Sequence, residues 1–250
     1  MKNKITYELK ITEDGSKTLH SPLFGEDCHS SYGAKTETLI YYIQGCKIKE
    51  TLESQSTINI LEVGFGTGLG LRTTFEETKN IHGQVKFVSL ELDRDLLNYI
   101  FSLDQFNDFT KKEDGDKILL SKGNFSAEII IGDARLTLPK MKHEKFQAIY
   151  QDAFSPKRNP MLWTVQWFKD LKELAHEDCI LSTYSASSSI RKSLMEAGWI
   201  VKNGLKFSGK RSSTIATIKG THDQDIVDHL KRSPVPLIWD ETADEFSKMR

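Results

Sequence analysis

Residues 57–70 read TINILEVGFGTGLG, and this stretch restricts the fold of the chain most strongly. A short apolar run, typical of a buried parallel strand, is followed by glycines at positions 64, 66, 68 and 70. Glycine permits positive φ in a tight turn, lets a ligand lie against the backbone and leaves the N–H groups of a helix N-terminus free to donate. The stretch therefore predicts a strand, a turn and a helix that bind a nucleotide-like ligand.

The spacing of the glycines separates the candidate ligands. A dinucleotide fingerprint, G-x-G-x-x-G, would need a glycine where Leu69 stands, and no Gly-Lys-Ser/Thr follows as in a Walker P-loop. The match is to E-x-G-x-G-x-G, with Glu62 at the end of the strand. Such a carboxylate repels a pyrophosphate but accepts the ammonium of an amino-acid moiety, directly or through water. The spacing favours S-adenosylmethionine over NAD, with a purely structural glycine turn as the alternative.

Two further apolar runs end in carboxylates, as neighbouring strands of a nucleotide-binding sheet would. Residues 85–93, VKFVSLELD, contain Glu91, which we expect to accept hydrogen bonds from ribose hydroxyls. Residues 127–134, AEIIIGDA, end at Gly132 and Asp133, whose carboxylate we expect beside the adenine amino group. Three strand-end carboxylates in order make the purely structural explanation the weaker one.

A fourth predicted strand, FQAIYQDAF, ends at Asp152. Open α/β sheets bind ligands at the carboxyl ends of their strands, so we expect Asp152 beside the reactive end of the cofactor, as a cofactor contact and the catalytic residue. A carboxylate that only caps the following turn is the alternative. Two prolines fix the path of SPKRNP and place Lys157, Arg158 and Asn159 on a rigid loop over the site, as candidates for holding substrate phosphate.

Charge and cysteine content limit the partners of the chain. A formal net charge of −1 argues against a uniformly basic nucleic-acid binder. Residues 191–219 nevertheless contain many Lys and Arg side chains, including Lys210 and Arg211, and a single acid, Glu196. This segment is either a local phosphate-binding face or a solvated surface. The three cysteines and seven histidines show no metal-ligand spacing, so we expect no metal and no structural disulfide.

Strand and helix patterns alternate along the chain and predict an α/β fold. With 250 residues, the chain is long enough for one well-buried domain. We predict an N-terminal β element and lid loop at 1–50, a catalytic domain at 51–220, and a helix and tail at 221–250. His29 in the lid loop is a weaker catalytic candidate. The sequence contains neither a membrane-spanning run nor a signal-peptide core, which predicts a cytoplasmic location.

Four motifs resemble those of one family: VGFGTGLG, DAFSPKRNPMLW, YSASSSIRKSLMEAGW and the later SGKR. They are similar to the methyltransferase domain of the MnmC-type enzymes, which make 5-methylaminomethyl-2-thiouridine at the tRNA wobble position. The similarity extends from Asp14 to about Ile218. The element D-x-F-x-P-x-x-N-P-x-x-W is much more specific than the glycine motif. The resemblance implies the stand-alone form, because the sequence has no second glycine fingerprint for the flavin-dependent oxidase domain.

The resemblance implies a class I S-adenosylmethionine-dependent methyltransferase fold, Rossmann-like, with a seven-stranded, mostly parallel sheet whose final strand is antiparallel. The implied reaction transfers a methyl group to the amine of 5-aminomethyl-(2-thio)uridine in tRNA, giving the methylaminomethyl product. The implied partners are the anticodon stem-loop of tRNA and a separate enzyme that supplies the aminomethyl precursor. Alternatives are a class I methyltransferase acting on a small molecule or protein, and a Rossmann-like module that binds a nucleotide without catalysis.

Site residues follow from the resemblance by motif position. The cofactor-binding residues would be Glu62, Gly64, Gly66, Thr67, Gly68, Glu91, Gly132, Asp133 and Asp152. Asp152 would also be the residue at the transfer site, with Lys157, Arg158 and Asn159 on the loop beside it. Lys210 and Arg211 would form a basic element that contacts RNA.

Overall fold

The computed structural model describes residues 7–141, 143–207 and 212–248. An antiparallel sheet of short strands comes first, as the alternating pattern ITYELKIT predicts: β1 (Glu8–Ile11), β2 (Lys17–Ser21) and β3 (Glu26–Asp27). Helix α1 (Ala34–Thr38) continues as a wider helical turn, Leu39–Gln44, and α2 (Ile48–Gln55) leads into the central sheet. The predicted N-terminal β element is therefore present.

The central sheet is mixed and mostly parallel at its centre. Its strands in chain order are β4 (Thr57–Val63), β5 (Gln84–Glu91), β6 (Thr110–Asp114), β7 (Lys117–Lys122), β8 (Phe125–Ile131), β9 (Phe146–Gln151), β10 (Ala175–Thr183), β11 (Ile200–Asn203) and β12 (Thr214–Thr217). Across the described part of the sheet the spatial order is β11-β12-β10-β9-β4-β5-β8-β7-β6. Strands β8, β5, β4, β9 and β10 pair in parallel, and β12 runs antiparallel to both β10 and β11.

Helices cover both faces of the sheet. They are α3 (Leu69–Thr78), α4 (Arg94–Phe101), α5 (Ala134–Thr137), α6 (Val165–Glu173), α7 (Ser188–Glu196), α8 (Gln224–Arg232) and α9 (Ala243–Lys248). Leu71 and Leu97 join the core on one face, and Phe168 and Leu194 join the core on the other. This is the doubly wound arrangement that alternating strands and helices predict.

The predicted seven-stranded sheet with a final antiparallel strand is confirmed as the centre of a larger sheet. The order β8-β5-β4-β9-β10-β12-β11 contains those strands, and β7 and β6 extend the edge beyond β8. Residues 117–131, KILLSKGNFSAEIII, contain two apolar runs separated by a Lys-Gly-Asn turn, which predicts a hairpin. This hairpin is confirmed, because Lys122 pairs with Phe125 in an antiparallel register. Among the described residues, no helix is long and apolar enough to cross a membrane.

Candidate active site

The carboxyl ends of β4, β5, β8 and β9 meet at one cavity of about 780 Å³. This volume lies in the range of roughly 300–1,000 Å³ that is usual for small-molecule sites. Residues 24–31, which we call the lid, line the cavity together with parts of α1, the glycine turn and residues 152–162. The site is therefore formed by several segments that lie between residues 24 and 184.

The glycine turn packs tightly between two strand ends. Gly64 has φ +96, and a Cβ at this position would lie 2.9 Å from the carbonyl oxygen of Asp152. The N–H of Gly66 donates to Oε2 of Glu91 at 3.0 Å, and the N–H of Asp93 donates to Oε1 at 2.9 Å. Burial raises the pKa of Glu91, and these two backbone donors oppose the rise. Glu91 is thus held in one orientation at the cavity wall.

Glu62 lies behind the glycine turn and is itself buried. Its Oε2 accepts a hydrogen bond from Ser89 at 2.6 Å, and its Oε1 would be 1.8 Å from a Cβ on Gly70, which lines the cavity. Burial raises the pKa of Glu62 well above its ordinary value. Only a residue without a side chain at position 70 leaves room for this carboxylate so close to the cavity.

Gly132 and Asp133 line the opposite end of the cavity. Asp133 caps α5, because its Oδ1 accepts a hydrogen bond from the N–H of Arg135 at 2.9 Å. Arg135 also lines the cavity, and it pairs with Asp240 of the C-terminal segment and lies over the ring of Trp167. The C-terminal segment therefore supports this wall.

Asp152 follows β9 directly and faces the cavity. The hydroxyl of Tyr42 donates to its Oδ1 at 2.6 Å. Burial raises the pKa of Asp152 to about 8; the Tyr42 hydrogen bond lowers it and the charge of Glu37 raises it. A carboxyl group with this pKa exchanges a proton readily near neutral pH, which suits general acid–base chemistry.

The loop after Asp152 is fixed by side chains from other elements. Trp163 donates from Nε1 to the carbonyl oxygen of Phe154 at 2.8 Å, and Tyr184 donates to that of Ala153 at 3.0 Å. The N–H groups of Arg158 and Asn159 both donate to the carbonyl oxygen of Ser155. The loop is therefore rigid, as its prolines predict.

The lid lies directly against this loop. The ring of Phe24 stacks on that of Phe154 with centroids 4.4 Å apart, and Oε2 of Glu26 accepts a hydrogen bond from the N–H of Ser155 at 2.9 Å. Farther along the lid, Sγ of Cys28 would lie 3.7 Å from a Cβ on Gly66. The lid thus bridges the glycine turn and the Asp152 loop.

His29, the weaker catalytic candidate, also lines the cavity. Its backbone N–H donates to Thr18 Oγ1 at 3.0 Å, and its Nδ1 lies 3.2 Å from the same hydroxyl. Burial lowers the pKa of His29 to about 4, so the imidazole is neutral near pH 7. These contacts tie the lid to β2.

The predicted site residues divide into two groups by position. Those that line the cavity are Gly64, Gly66, Glu91, Gly132, Asp133, Asp152 and Asn159. Glu62, Thr67 and Gly68 lie behind the wall, where Gly68 packs against Phe65 and Phe106, and Lys157 and Arg158 are exposed outside it. Lys210 and Arg211 lie outside the described residues.

Sequence reasoning missed several residues of the cavity wall. They are Phe24, Glu26, Glu37, Tyr42 and Tyr184. Tyr42 lies in a helical segment whose apolar spacing indicates only a core contact, and no motif marks the others. The sole signal was the long loop before the cofactor strand, since long loops in compact domains are often functional.

Acidic side chains outnumber basic ones among the described residues of the cavity wall. They are Glu26, Asp27, Glu37, Glu91, Asp133 and Asp152. Arg135 is the only Lys or Arg among the described lining residues. Such a wall fits ligands that carry positive charge.

Comparisons with known proteins agree with this geometry. A family model described as S-adenosyl-L-methionine-dependent methyltransferase matches residues 100–219. The crystal structure of MnmC2 from Aquifex aeolicus is similar, with a TM-score of 0.77 and 29% identity, covering 97% of this chain and 82% of that one. These matches support an S-adenosyl-L-methionine-dependent methyltransferase. The resemblance to MnmC-type enzymes is thereby confirmed.

Two further relatives set the extent of the similarity. The tRNA 5-methylaminomethyl-2-thiouridine biosynthesis bifunctional protein MnmC of Burkholderia thailandensis is 28% identical over 226 residues, which are 83% of this chain. The chain spans 34% of the length of that relative. Trm1 from Pyrococcus horikoshii, solved with S-adenosyl-L-methionine, shares the fold at a TM-score of 0.51 and 11% identity, covering 98% of this chain and 82% of that one.

The described residues fit the cofactor of this family. The acidic wall suits a ligand with a sulfonium and an ammonium group. Two buried hydroxyls, Ser30 on the lid and Thr67 in the glycine turn, have no hydrogen-bond partner. Buried hydroxyls of this kind are usually satisfied by water or a ligand.

Proposed function

We propose that this methyltransferase methylates the amine of 5-aminomethyl-(2-thio)uridine at the wobble position of tRNA, giving 5-methylaminomethyl-(2-thio)uridine. The observation that carries the proposal is Asp152, whose carboxyl group faces an acidic cavity between the glycine turn and a rigid loop. An amine is protonated near neutral pH, and an acidic wall attracts such a cation. The names of the MnmC relatives supply the particular acceptor.

In this proposal the glycine-turn side of the cavity holds the cofactor. Glu91 would accept the ribose hydroxyls, Asp133 would lie beside adenine, and Glu62 would receive the ammonium, with Gly64, Gly66, Thr67, Gly68 and Gly132 shaping the backbone. When bound, S-adenosylmethionine supplies a methyl group on a positively charged sulfur. The chain itself must place the acceptor in line with that methyl group and remove a proton from it.

Asp152 performs the proton transfer in this account. Methyl transfer needs a free lone pair on the amine nitrogen, which an ammonium does not have. Oδ1 of Asp152 is engaged by Tyr42, and Oδ2 accepts the proton from the amine, directly or through one water. Because burial raises the pKa of this carboxyl to about 8, the protonated product of the step is stable near neutral pH.

RNA binding is the second part of the proposal. Lys157 and Arg158 are exposed beside the cavity, and Asn159 turns inward to line it. We assign the two cations to phosphates of the anticodon stem-loop, together with Lys210 and Arg211. A separate enzyme would supply the aminomethyl precursor, and tRNA as acceptor implies a cytoplasmic location. Replacing Lys157 and Arg158 by alanine should then reduce the salt dependence of tRNA binding by about one phosphate contact each.

Transfer of labelled methyl from S-adenosylmethionine to bulk tRNA tests the proposed function. The tRNA comes from cells that lack this modification, and fully modified tRNA is the matched control. Labelled methylaminomethyl-uridine in the nucleoside digest is the expected result. Cofactor binding without labelled tRNA would contradict the proposal and favour a small-molecule or protein acceptor.

A further inference from the structure

Tyr42 connects the helical segment after α1 to the catalytic candidate. It lies in the wide helical turn Leu39–Gln44, and its side chain is buried. Its hydroxyl donates to Oδ1 of Asp152 at 2.6 Å, across 110 positions of sequence. No other side chain among the described residues donates to the Asp152 carboxyl group.

We propose that Tyr42 is a positioning residue that fixes the carboxyl group of Asp152 for the acceptor amine. The inference rests on the proposed function, since it assigns Asp152 to proton transfer. With Oδ1 held by Tyr42, the plane of the carboxyl group is set and Oδ2 is the oxygen left for the acceptor. A correctly oriented base raises the rate because its oxygen is already aligned with the acceptor amine.

The surroundings of Tyr42 are rigid enough for this task. Its ring stacks on that of Tyr150, with centroids 5.0 Å apart and planes at 28°. Tyr150 is in turn fixed by its hydroxyl, which lies 3.2 Å from Oγ1 of Thr74. The carbonyl oxygen of the preceding residue, Tyr41, accepts a hydrogen bond from Ser182 on β10. The hydroxyl of Tyr42 is thus held by contacts on both its ring and its backbone.

The groups that face Asp152 come from several elements, and Tyr42 differs from all the others. They are Glu37 from α1, Glu62 from β4, Cys28 from the lid, Tyr184 after β10, and Tyr42. The charge of Glu37 disfavours a negative charge on Asp152, whereas the Tyr42 hydrogen bond stabilises that charge. Burial and the neighbouring Asp152 raise the pKa of Tyr42, so its hydroxyl remains a donor.

The variant Tyr42→Phe removes this hydroxyl and keeps the ring. We expect the acid limb of the pH profile of kcat to move to higher pH. The rate at pH 7 should fall about tenfold for each unit of that move and recover at high pH. Tyr7→Phe is the matched control, because it removes a buried hydroxyl that donates to a different carboxyl group, that of Asp93. A purely structural role would lower the rate equally at every pH and would contradict the inference.

A second measurement needs no methyl acceptor. Protein labelled with ¹³C in its aspartate carboxyl groups is titrated by NMR, and Asp152→Asn assigns the Asp152 signal. We expect a higher pKa for Asp152 in Tyr42→Phe than in wild type or Tyr7→Phe, and an unchanged pKa would overturn the inference. Failure of the wild-type enzyme to label tRNA would instead contradict the proposed function, so the two failures are distinguishable.

Discussion

The cofactor side and the acceptor side that we propose for the cavity are built in different ways. The cofactor side consists of the glycine turn, Glu91 and Gly132–Asp133, all at or next to the ends of neighbouring parallel strands. The acceptor side consists of Asp152 with its loop, the lid and Tyr42, which are joined by contacts across more than 100 positions of sequence. The cofactor side is thus set by sheet topology, whereas the acceptor side depends on individual hydrogen bonds between distant segments.

This comparison predicts that the two sides fail separately. Substitutions on the cofactor side should weaken cofactor binding and leave turnover at saturation nearly intact. Substitutions on the acceptor side should lower turnover at saturation and leave cofactor binding nearly intact. Gly64 is the point where the sides touch, because it packs against the backbone of Asp152, so its variants should affect both.

The largest effect is expected from Asp152→Asn. The amide keeps the shape of the side chain but cannot take a proton, so kcat should fall about 10²- to 10⁴-fold. The dissociation constant of S-adenosylmethionine, measured by calorimetry, should change little. Asp133→Asn is the matched control on the cofactor side, and it should keep kcat. Strong residual turnover in Asp152→Asn would remove this residue from proton transfer.

Glu91→Ala should give the next largest effect. It removes the acceptor for the N–H groups of Gly66 and Asp93 and loosens the glycine turn. Hydrogen bonds to charged groups contribute about 1.5–3 kcal/mol, so cofactor affinity should fall roughly 10- to 100-fold. Turnover at saturating cofactor should stay close to wild type. A loss of kcat as large as that of Asp152→Asn would show that the two sides are not separate.

A smaller effect is expected from Glu26→Ala in the lid. This change removes the hydrogen bond from the N–H of Ser155 and leaves the stacking of Phe24 on Phe154 to hold the lid against the Asp152 loop. A net contribution of about 0.5–1.5 kcal/mol predicts a roughly 2- to 10-fold rise in KM for tRNA. Glu50→Ala, an exposed acid on α2, controls for the change in net charge. An unchanged KM would mean that the lid contact does not shape the acceptor site.

The last prediction concerns the stability of the ligand-free protein rather than binding or turnover. The folded state keeps the Asp152 proton up to about pH 8, whereas the unfolded chain loses it near the ordinary value of 3.8. The free energy of unfolding of the wild type should therefore decrease as pH rises through this window. In Asp152→Asn this decrease in the free energy of unfolding is absent. The melting temperature of the variant should therefore exceed that of wild type by a margin that grows from pH 4 to pH 8. A margin that is constant with pH would contradict the raised pKa.

The sequence predicted the fold and the meeting of the strand-end carboxyl groups for one physical reason. Parallel strands end at a common edge, so apolar runs ending in carboxylates predict that Glu91, Asp133 and Asp152 gather there. The extra strands β6 and β7 lie beyond that pattern. Tyr42 was not predicted as a site residue because its apolar spacing suits an ordinary core helix. The role that we propose for it depends on a hydroxyl contact with a distant strand end.

The loop after Asp152 shows a further limit of prediction from the sequence. Lys157, Arg158 and Asn159 are adjacent in sequence, and all three were predicted over the site. The turn at Ser155 directs Asn159 into the cavity and leaves the two cations exposed outside it. Which side chain of a tight turn faces inward depends on backbone hydrogen bonds that residue types alone do not specify.

The most direct test of the central claim uses two synthetic anticodon stem-loops that differ only in the 5-aminomethyl group of the wobble uridine. Each is incubated with the wild-type enzyme and labelled S-adenosylmethionine, and the product is identified by nucleoside mass spectrometry. We predict labelled methylaminomethyl-uridine from the aminomethyl stem-loop and no label in the other. Equal labelling of both stem-loops, or labelling of neither while cofactor binds, would contradict the assignment of a primary amine as the acceptor beside Asp152.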